Sequence, residues 1–597
     1  MLVRVGVLVA ISATALVAVP AGADRQSEPW SARPATFAVH STLDVPVTMS
    51  DGVVLSVDVH RPAEEDGQPA PGRFPALMTQ TPYNSSIQDP RAPYFVERGY
   101  VDLVVDIRGT GSSGGRFGSF DRRSQLDGKE LVAWAARQEW SDGRVGLRGG
   151  SYLGINQLLT AAQQPPALKA IFPIVPTGDN YRSVLPGGYL TSLAAFAVQN
   201  VAVSAPPPAY AGSDPQRAAA TLGTRPGNAA DVATYLAETM SGGDRAFDGP
   251  YYRDGSPLWN MDRIEVPTFL VGGWYDALSQ RDVPLMFTEL QQRRVPVKML
   301  MGPWYHTNPG EGLPTQGILA LDELQLRWFD RHVRGIADPE LDRSAPAIWY
   351  RLGEDRYHFT KEYPSDVSYE RLSFTENQGL TRGTGTGQPD VLPWTQVSGA
   401  CTRSTYIGTF GLAPTTPCET DNSLNDRTGL VYETAPLEES LDLAGAMSAH
   451  LFVSTSRTDA FLTLHVESVD PVTGVVDELT SGWDTLSFRE LDAQRSTPLG
   501  SVGLLPFHPY TKESVQQLEA GTVYDWWVEI RDVAARIPAG HKLRVSIQTS
   551  DTVRFLPTAP RLADSVGAVV TVHHDAERPS GIVLPVQPAR SNKRSSR

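Results

Sequence analysis

The 597-residue chain has two cysteines. That is too few for a tetrahedral cysteine-ligated zinc site or an iron–sulfur cluster. Positive charge is also in short supply: 52 Lys and Arg against 67 Asp and Glu give a formal net charge of −15. Such a surface repels nucleic acid phosphate and anionic lipid, so neither nucleic acid nor a membrane is an expected partner. Past the N-terminal stretch, no apolar run reaches the roughly 20 residues that span a bilayer as a helix. No H-E-x-x-H, P-loop or dinucleotide glycine fingerprint occurs, so neither a metal nor an organic cofactor is expected. Glycine follows no collagen-like period, and 41% hydrophobic residues are too many for a disordered chain. At roughly 100–200 residues per domain, the length argues for several domains.

What is present begins at the N-terminus. Arg4 precedes an uncharged stretch over residues 5–19, and Ala21-Gly22-Ala23 stand ahead of Asp24. A positive start, an apolar core and a small-residue site form the order of a secretory signal peptide. The expectation is a secreted protein with its leader over residues 1–23. In an oxidising compartment Cys401 and Cys418 are expected to form a disulfide that clips one surface loop. In the chain-entropy picture such a loop contributes about 3 kcal/mol.

The hydrophobic pattern changes along the chain. Short apolar runs at residues 53–59, 75–79, 101–106, 145–148 and 170–175 read as strands, with helices at 124–138 and 152–163. Strand–helix alternation with near-continuous apolar strands indicates a mostly parallel sheet covered on both faces. Residues 176–263 lose the strand signal and read as an inserted helical cap. The alternation returns with strands at 266–271 and 297–301 and helices at 281–292 and 319–333. Beyond residue 341, short alternating segments recur between turns, as at 448–455, 460–468, 524–530, 542–548 and 568–573. Many strands without intervening helices indicate an antiparallel sandwich of jelly-roll type. The basic residues 589–597 read as a frayed tail.

The strongest chemical signal is Gly149-Gly150-Ser151-Tyr152-Leu153-Gly154, after a predicted strand and at the start of a helix. A serine on a strand–turn–helix elbow projects its hydroxyl from the sheet edge, and the helix N-terminus aims N–H groups at developing negative charge. The same pattern also fits a helix N-cap serine. A serine nucleophile needs a base, and the base needs an orienting carboxylate. Gly272-Gly273-Trp274-Tyr275-Asp276 places Asp276 just past one predicted strand. Gly302-Pro303-Trp304-Tyr305-His306 places His306 just past the next. Catalytic groups collect at these strand ends in open α/β sheets, and the order Ser, Asp, His along the chain suits this topology. For the oxyanion, the Tyr152 N–H is one donor. No H-G-G-G loop is present, and the Tyr83 hydroxyl in Thr81-Pro82-Tyr83-Asn84 is the candidate for the second.

These blocks, with Asp106-Ile107-Arg108-Gly109-Thr110-Gly111-Ser112-Ser113-Gly114-Gly115, Leu326-Arg327-Trp328-Phe329-Asp330 and residues 538–547, resemble one family. It comprises the X-prolyl dipeptidyl peptidases and cocaine-esterase-like (CocE/NonD) serine hydrolases. The resemblance covers about residues 40–588. It implies an α/β-hydrolase core over 24–175 and 264–340, a helical cap over 176–263 and a C-terminal jelly roll over 341–588. It also implies Ser151, Asp276 and His306 as the catalytic triad, with Tyr83 and the Tyr152 amide as oxyanion hole. A leucine at 153 and a glycine at 154, shifted by one place from the common G-x-S-x-G elbow, are normal in that family.

The expected substrate is a small-molecule ester or amide, or a short peptide. A dipeptidyl peptidase must hold an α-ammonium with buried carboxylates, for which Asp179 and Asp248 in the cap are candidates. Trp274 and Trp304 are candidates for the pocket wall. Leu153 and Gly154 supply no acid beside the nucleophile, which favours a plain acyl ester or amide over an N-terminal Xaa-Pro dipeptide. The third reading, from a different class, is a non-catalytic secreted protein whose jelly roll grips a glycan or surface polymer.

Overall fold

The computed structural model describes residues 30–85, 92–191, 208–395, 397–412, 418–552 and 554–588. The expected signal peptide and the 589–597 tail lie outside these residues. Residues 1–33 form one unit, of which only 30–33 are described, in irregular backbone, and residues 34–597 form the other.

The apolar runs of the N-terminal half build one ten-stranded sheet. Its strands are β1 (Ala38–Thr48), β2 (Val54–Ala63), β3 (Phe74–Thr81), β4 (Val101–Asp106), β5 (Ser141–Gly150), β6 (Leu168–Ile174), β7 (Thr268–Gly273), β8 (Val297–Gly302), β9 (Ala347–Arg351) and β10 (Arg356–Thr360). Their order is β1-β2-β4-β3-β5-β6-β7-β8-β9-β10. From β4 through β9 every neighbouring pair is parallel, while β1, β2 and β10 join antiparallel at the edges. Strands β4, β7 and β8 are buried along their whole length. That is why they read as near-continuous apolar runs, broken only by Asp102 and Asp106 in β4 and Lys298 in β8, and not as alternating ones.

Helices α1 (Arg122–Ala136) and α2 (Tyr152–Ala161) follow β4 and β5. In the cap region lie α3 (Pro215–Gly223) and α4 (Arg225–Met240). Helices α5 (Ser279–Gln292) and α6 (Leu321–His332) follow β7 and β8. Because β3, β5, β7 and β8 run parallel, the loops leaving their carboxyl ends share one edge of the sheet, and Tyr83, Ser151, Asp276 and His306 all sit in those loops.

The C-terminal part is all-β, with eleven strands in one sheet that closes on itself: Leu441–Thr455 pairs with Tyr524–Ile537 on one side and with Gly581–Gln587 on the other. Apart from the single parallel bridge Gly379–Glu433, its pairings are antiparallel. The fold is an α/β-hydrolase core with a helical cap and a C-terminal all-β domain.

Two features differ from the sequence reading. Ala38–Thr48 forms an edge strand that no apolar pattern announced, because only Val47 of its residues is buried. The strands Ala347–Arg351 and Arg356–Thr360 extend the first sheet beyond residue 340: Ala347, Ile348 and Trp349 pair in parallel with Met299, Leu300 and Met301. Alternation reveals a strand but not the sheet it joins. The two halves share one hydrophobic core, in which Leu270, Trp274 and Trp349 belong to the same cluster as Val533 and Ala534. Main-chain bonds from Leu352 N to Ala534 O (2.9 Å) and from Arg536 N to Leu352 O (2.8 Å) stitch them together.

Candidate active site

Ser151 stands between β5 and α2 with φ 60° and ψ −127°, and its side chain makes no capping bond to the helix it precedes. A non-glycine residue at positive φ is strained backbone of the kind that clusters at functional sites. The hydroxyl instead lies 2.8 Å from His306 Nε2. On the far side of the imidazole, Nδ1 is 2.9 Å from Asp276 Oδ1. A carboxylate only accepts, so Nδ1 carries the hydrogen and Nε2 is left to accept from Ser151.

The loops holding the acid and the imidazole are zipped together. Trp274 N donates to Gly302 O (2.9 Å) and Tyr275 N to Trp304 O (3.1 Å). The glycine at 273 is a requirement of this contact, since a Cβ there would stand 2.2 Å from Trp304 O. Asp276 has no exposed surface. Burial pushes its carboxyl up, but the His306 charge and hydrogen bonds from His306, Ser279 and the Leu278 N–H outweigh this and hold it below the usual carboxylate range. It is therefore an anion at neutral pH, able to stabilise an imidazolium beside it.

Tyr83 exposes 38% of its surface, yet its hydroxyl turns inward, bonded to Ser151 and to the main-chain N–H of Tyr152. Burial raises the phenol above its ordinary range, with those two bonds opposing. A neutral phenol is a donor at working pH, so the Tyr83 O–H and Tyr152 N–H converge beside the serine oxygen. Asp106, at the end of β4, holds the turn beyond Tyr83 by accepting from Ser85 N at 2.7 Å.

Ser151 opens on a cavity of about 150 Å³. Its walls are largely aromatic: Phe117, Phe120, Tyr235, Tyr251, Tyr252 and Phe410 surround the serine with Tyr83 and Tyr152. The polar lining consists of Ser119, Thr177, Asn180 and Ser183, and among the described lining residues none is charged. The four residues read from the sequence as pocket candidates stand elsewhere. Trp274 is wholly buried and donates to Tyr350 O (2.7 Å); Trp304 is 1% exposed and donates to Glu311 O (2.9 Å). Asp179 is buried as the N-cap of a short helix, accepting from Arg182 N at 3.1 Å. Asp248 is paired with Arg253 at 3.0 Å. None of the four lines the cavity. Among the described residues, no group of three or more His, Cys, Asp or Glu side chains could hold a metal ion.

Cys401 and Cys418 form a disulfide with Cα atoms 4.7 Å apart. The segment it flanks is more than a surface clip, because the Phe410 ring lies 4.5 Å from the His306 ring, centroid to centroid. Sequence reasoning missed Phe410 and most of the aromatic wall. The one available signal was the aromatic pair Tyr251-Tyr252 in an otherwise Ala- and Gly-rich cap.

Residues 51–308 match the family described as X-Pro dipeptidyl-peptidase (S15 family), and residues 340–583 match the X-Pro dipeptidyl-peptidase C-terminal non-catalytic domain. The cocaine esterase of Rhodococcus sp. (strain MB1 Bresler) is 26% identical over 92% of this chain and 99% of its own length. A CocE/NonD family hydrolase from Staphylococcus aureus has the same fold, with TM-score 0.70 and 18% identity over 92% of this chain and 93% of its own. So does an aminopeptidase from a Thaumarchaeota archaeon of marine sediment, with TM-score 0.70 and 18% identity over 95% of this chain and 99% of its own. The chain belongs to the family of S15 X-Pro dipeptidyl-peptidase and CocE/NonD serine hydrolases.

Proposed function

We propose that the protein is an exported serine esterase that cleaves uncharged acyl esters through a covalent acyl-enzyme. Ser151 attacks the acyl carbonyl as His306 Nε2 takes its proton, and Asp276 fixes the tautomer and stabilises the imidazolium. The Tyr83 hydroxyl and Tyr152 amide donate to the oxyanion. His306 then gives its proton to the leaving alkoxide, and a water activated by the same imidazole releases the acid.

The observation that carries the substrate class is the neutral, aromatic lining of the cavity beside Ser151. An α-ammonium would need a facing carboxylate to offset its desolvation, and the described lining residues supply none. A largely aromatic, partly open cavity of about 150 Å³ has room for a group the size of benzene, so an aryl-sized acyl group suits it. The leader-like pattern of residues 1–23 and the disulfide support export, since disulfides persist in oxidising compartments.

The test compares p-nitrophenyl benzoate with Ala-Pro-p-nitroanilide and its N-acetylated form. The proposal expects turnover of the ester and no gain from a free amine. Turnover of Ala-Pro-p-nitroanilide that is lost on acetylation, with the benzoate ester untouched, would make the protein a dipeptidyl peptidase.

A further inference from the structure

One segment of the C-terminal domain touches the neighbours of both Asp276 and His306. At its start is Arg403, whose buried guanidinium donates to the Tyr275 hydroxyl at 3.0 Å and lies 4.4 Å above the Tyr275 ring. The same guanidinium is fixed from behind by Asp477 (2.9 Å), by the Glu419 carbonyl (2.9 Å) and by the Glu478 carbonyl. Tyr275 immediately precedes Asp276. Its ring stacks on Tyr305 at 5.3 Å, and Tyr305 packs against Tyr406 at 4.3 Å. Tyr305 immediately precedes His306. At the far end of the segment, the Phe410 carbonyl accepts from the Thr307 hydroxyl at 3.1 Å while its ring covers the imidazole.

The backbone there is specialised for this approach. Phe410 adopts φ 58° and Gly411 φ 82°, both in the left-handed region that side chains avoid. A Cβ at Gly411 would meet the Tyr305 Cβ at 2.8 Å. The chain therefore accepts local strain to press residues 406–411 against the loop that carries His306. Strain of this kind persists only where surrounding contacts over-determine it, and the Cys401–Cys418 bridge and the Arg403 contacts do so here.

We propose that the disulfide-flanked segment 403–411 is a positioning element for the acid–base pair. Arg403 acts on Asp276 through Tyr275, and Phe410 acts on His306 by packing against its ring. The inference rests on the reading of Ser151, His306 and Asp276 as the reacting groups. A displacement of about 1 Å in such a pair can lower turnover by about 10²-fold. Arg403 and Tyr275 do not line the cavity, so their effect belongs in kcat, whereas Phe410, which does, affects KM as well.

The experiment measures kcat and KM for p-nitrophenyl benzoate in Arg403→Met, Arg403→Lys, Tyr275→Phe, the Arg403→Met/Tyr275→Phe double variant and Phe410→Ala, with circular dichroism on each. Arg403→Met is expected to lower kcat toward the about 10²-fold limit with KM little changed. Arg403→Lys recovers part of the loss, and the double variant is no worse than the poorer single one, the signature of residues acting as a unit. If Arg403→Met does not fold, Tyr275→Phe decides, because it removes one hydroxyl and no packing; it should lower kcat alone. Folded variants with wild-type kcat, or losses that add in the double variant, overturn the proposal. Ser151→Ala run alongside separates the two readings. If it is inactive while the segment variants are unimpaired, only the positioning role falls; if it is active, the site reading itself falls.

Discussion

The main-chain N–H of Ser151 donates to the carbonyl of Ile174 at 2.9 Å, so the serine elbow is pinned to the end of the neighbouring strand. Ile174 closes β6, and the same carbonyl lies 2.9 Å from where a Cβ on Gly154 would stand. The glycine at 154, one place later than in a G-x-S-x-G elbow, is thus explained by close approach of a backbone oxygen. Gly154→Ala should cost about 1–3 kcal/mol of stability through overpacking and lower kcat by shifting Ser151. Thermal melting and ester turnover on the same preparation check this. A variant with the wild-type melting temperature and rate would mean that β6 yields freely at this point.

In the proposed mechanism Tyr83 contributes a phenol where serine hydrolases often place a backbone amide. Removing one oxyanion donor generally lowers kcat by about 10²–10³-fold. Tyr83→Phe should show that loss with KM near its wild-type value, because the ring that lines the cavity is kept. Steady-state kinetics on an aryl ester measure it, and undiminished kcat would remove Tyr83 from the oxyanion site.

Asp248 offers a test of electrostatics away from the chemistry. Burial, reinforced by the charge of Asp179, pushes its carboxyl up to about 6 despite the nearby Arg253 guanidinium. A carboxyl raised on folding holds more protons in the folded than in the unfolded state between its unfolded value of 3.8 and about 6. Its contribution to stability therefore grows as pH falls through that window and is flat above it. Relative to Asp248→Asn, the wild type should gain melting temperature on going from about pH 7 to about pH 5. A difference that does not change with pH would show that Asp248 keeps its ordinary affinity for protons.

Much of this architecture is legible in the residues themselves. The strands that become β4, β7 and β8 are buried along their length and so read as near-continuous apolar runs. The motifs at 272–276 and 302–306 follow from where the last two end, and 149–154 from the end of β5. The edge strand Ala38–Thr48 is not legible, because an exposed strand carries no burial pattern. Nor is the membership of Ala347–Arg351 in the first sheet, which depends on pairing partners far away in sequence. The pocket was hardest to read. Conspicuous tryptophans at 274 and 304 turned out to be core residues with their indole nitrogens bonded to carbonyls. The actual wall combines Phe117 and Phe120 after β4, tyrosines of the cap and Phe410 from the C-terminal domain. Nothing in local periodicity signals that these distant aromatics share one cavity.

Every step of the proposed reaction requires Ser151 to be the nucleophile. Incubating the protein with a fluorophosphonate and locating the adduct by peptide mass spectrometry tests this directly, with Ser151→Ala as the control. One adduct is expected, on Ser151, formed in step with loss of ester turnover, along with a folded Ser151→Ala protein that neither labels nor turns over ester. Labelling at another residue, or ester hydrolysis by folded Ser151→Ala at the wild-type rate, would contradict that role.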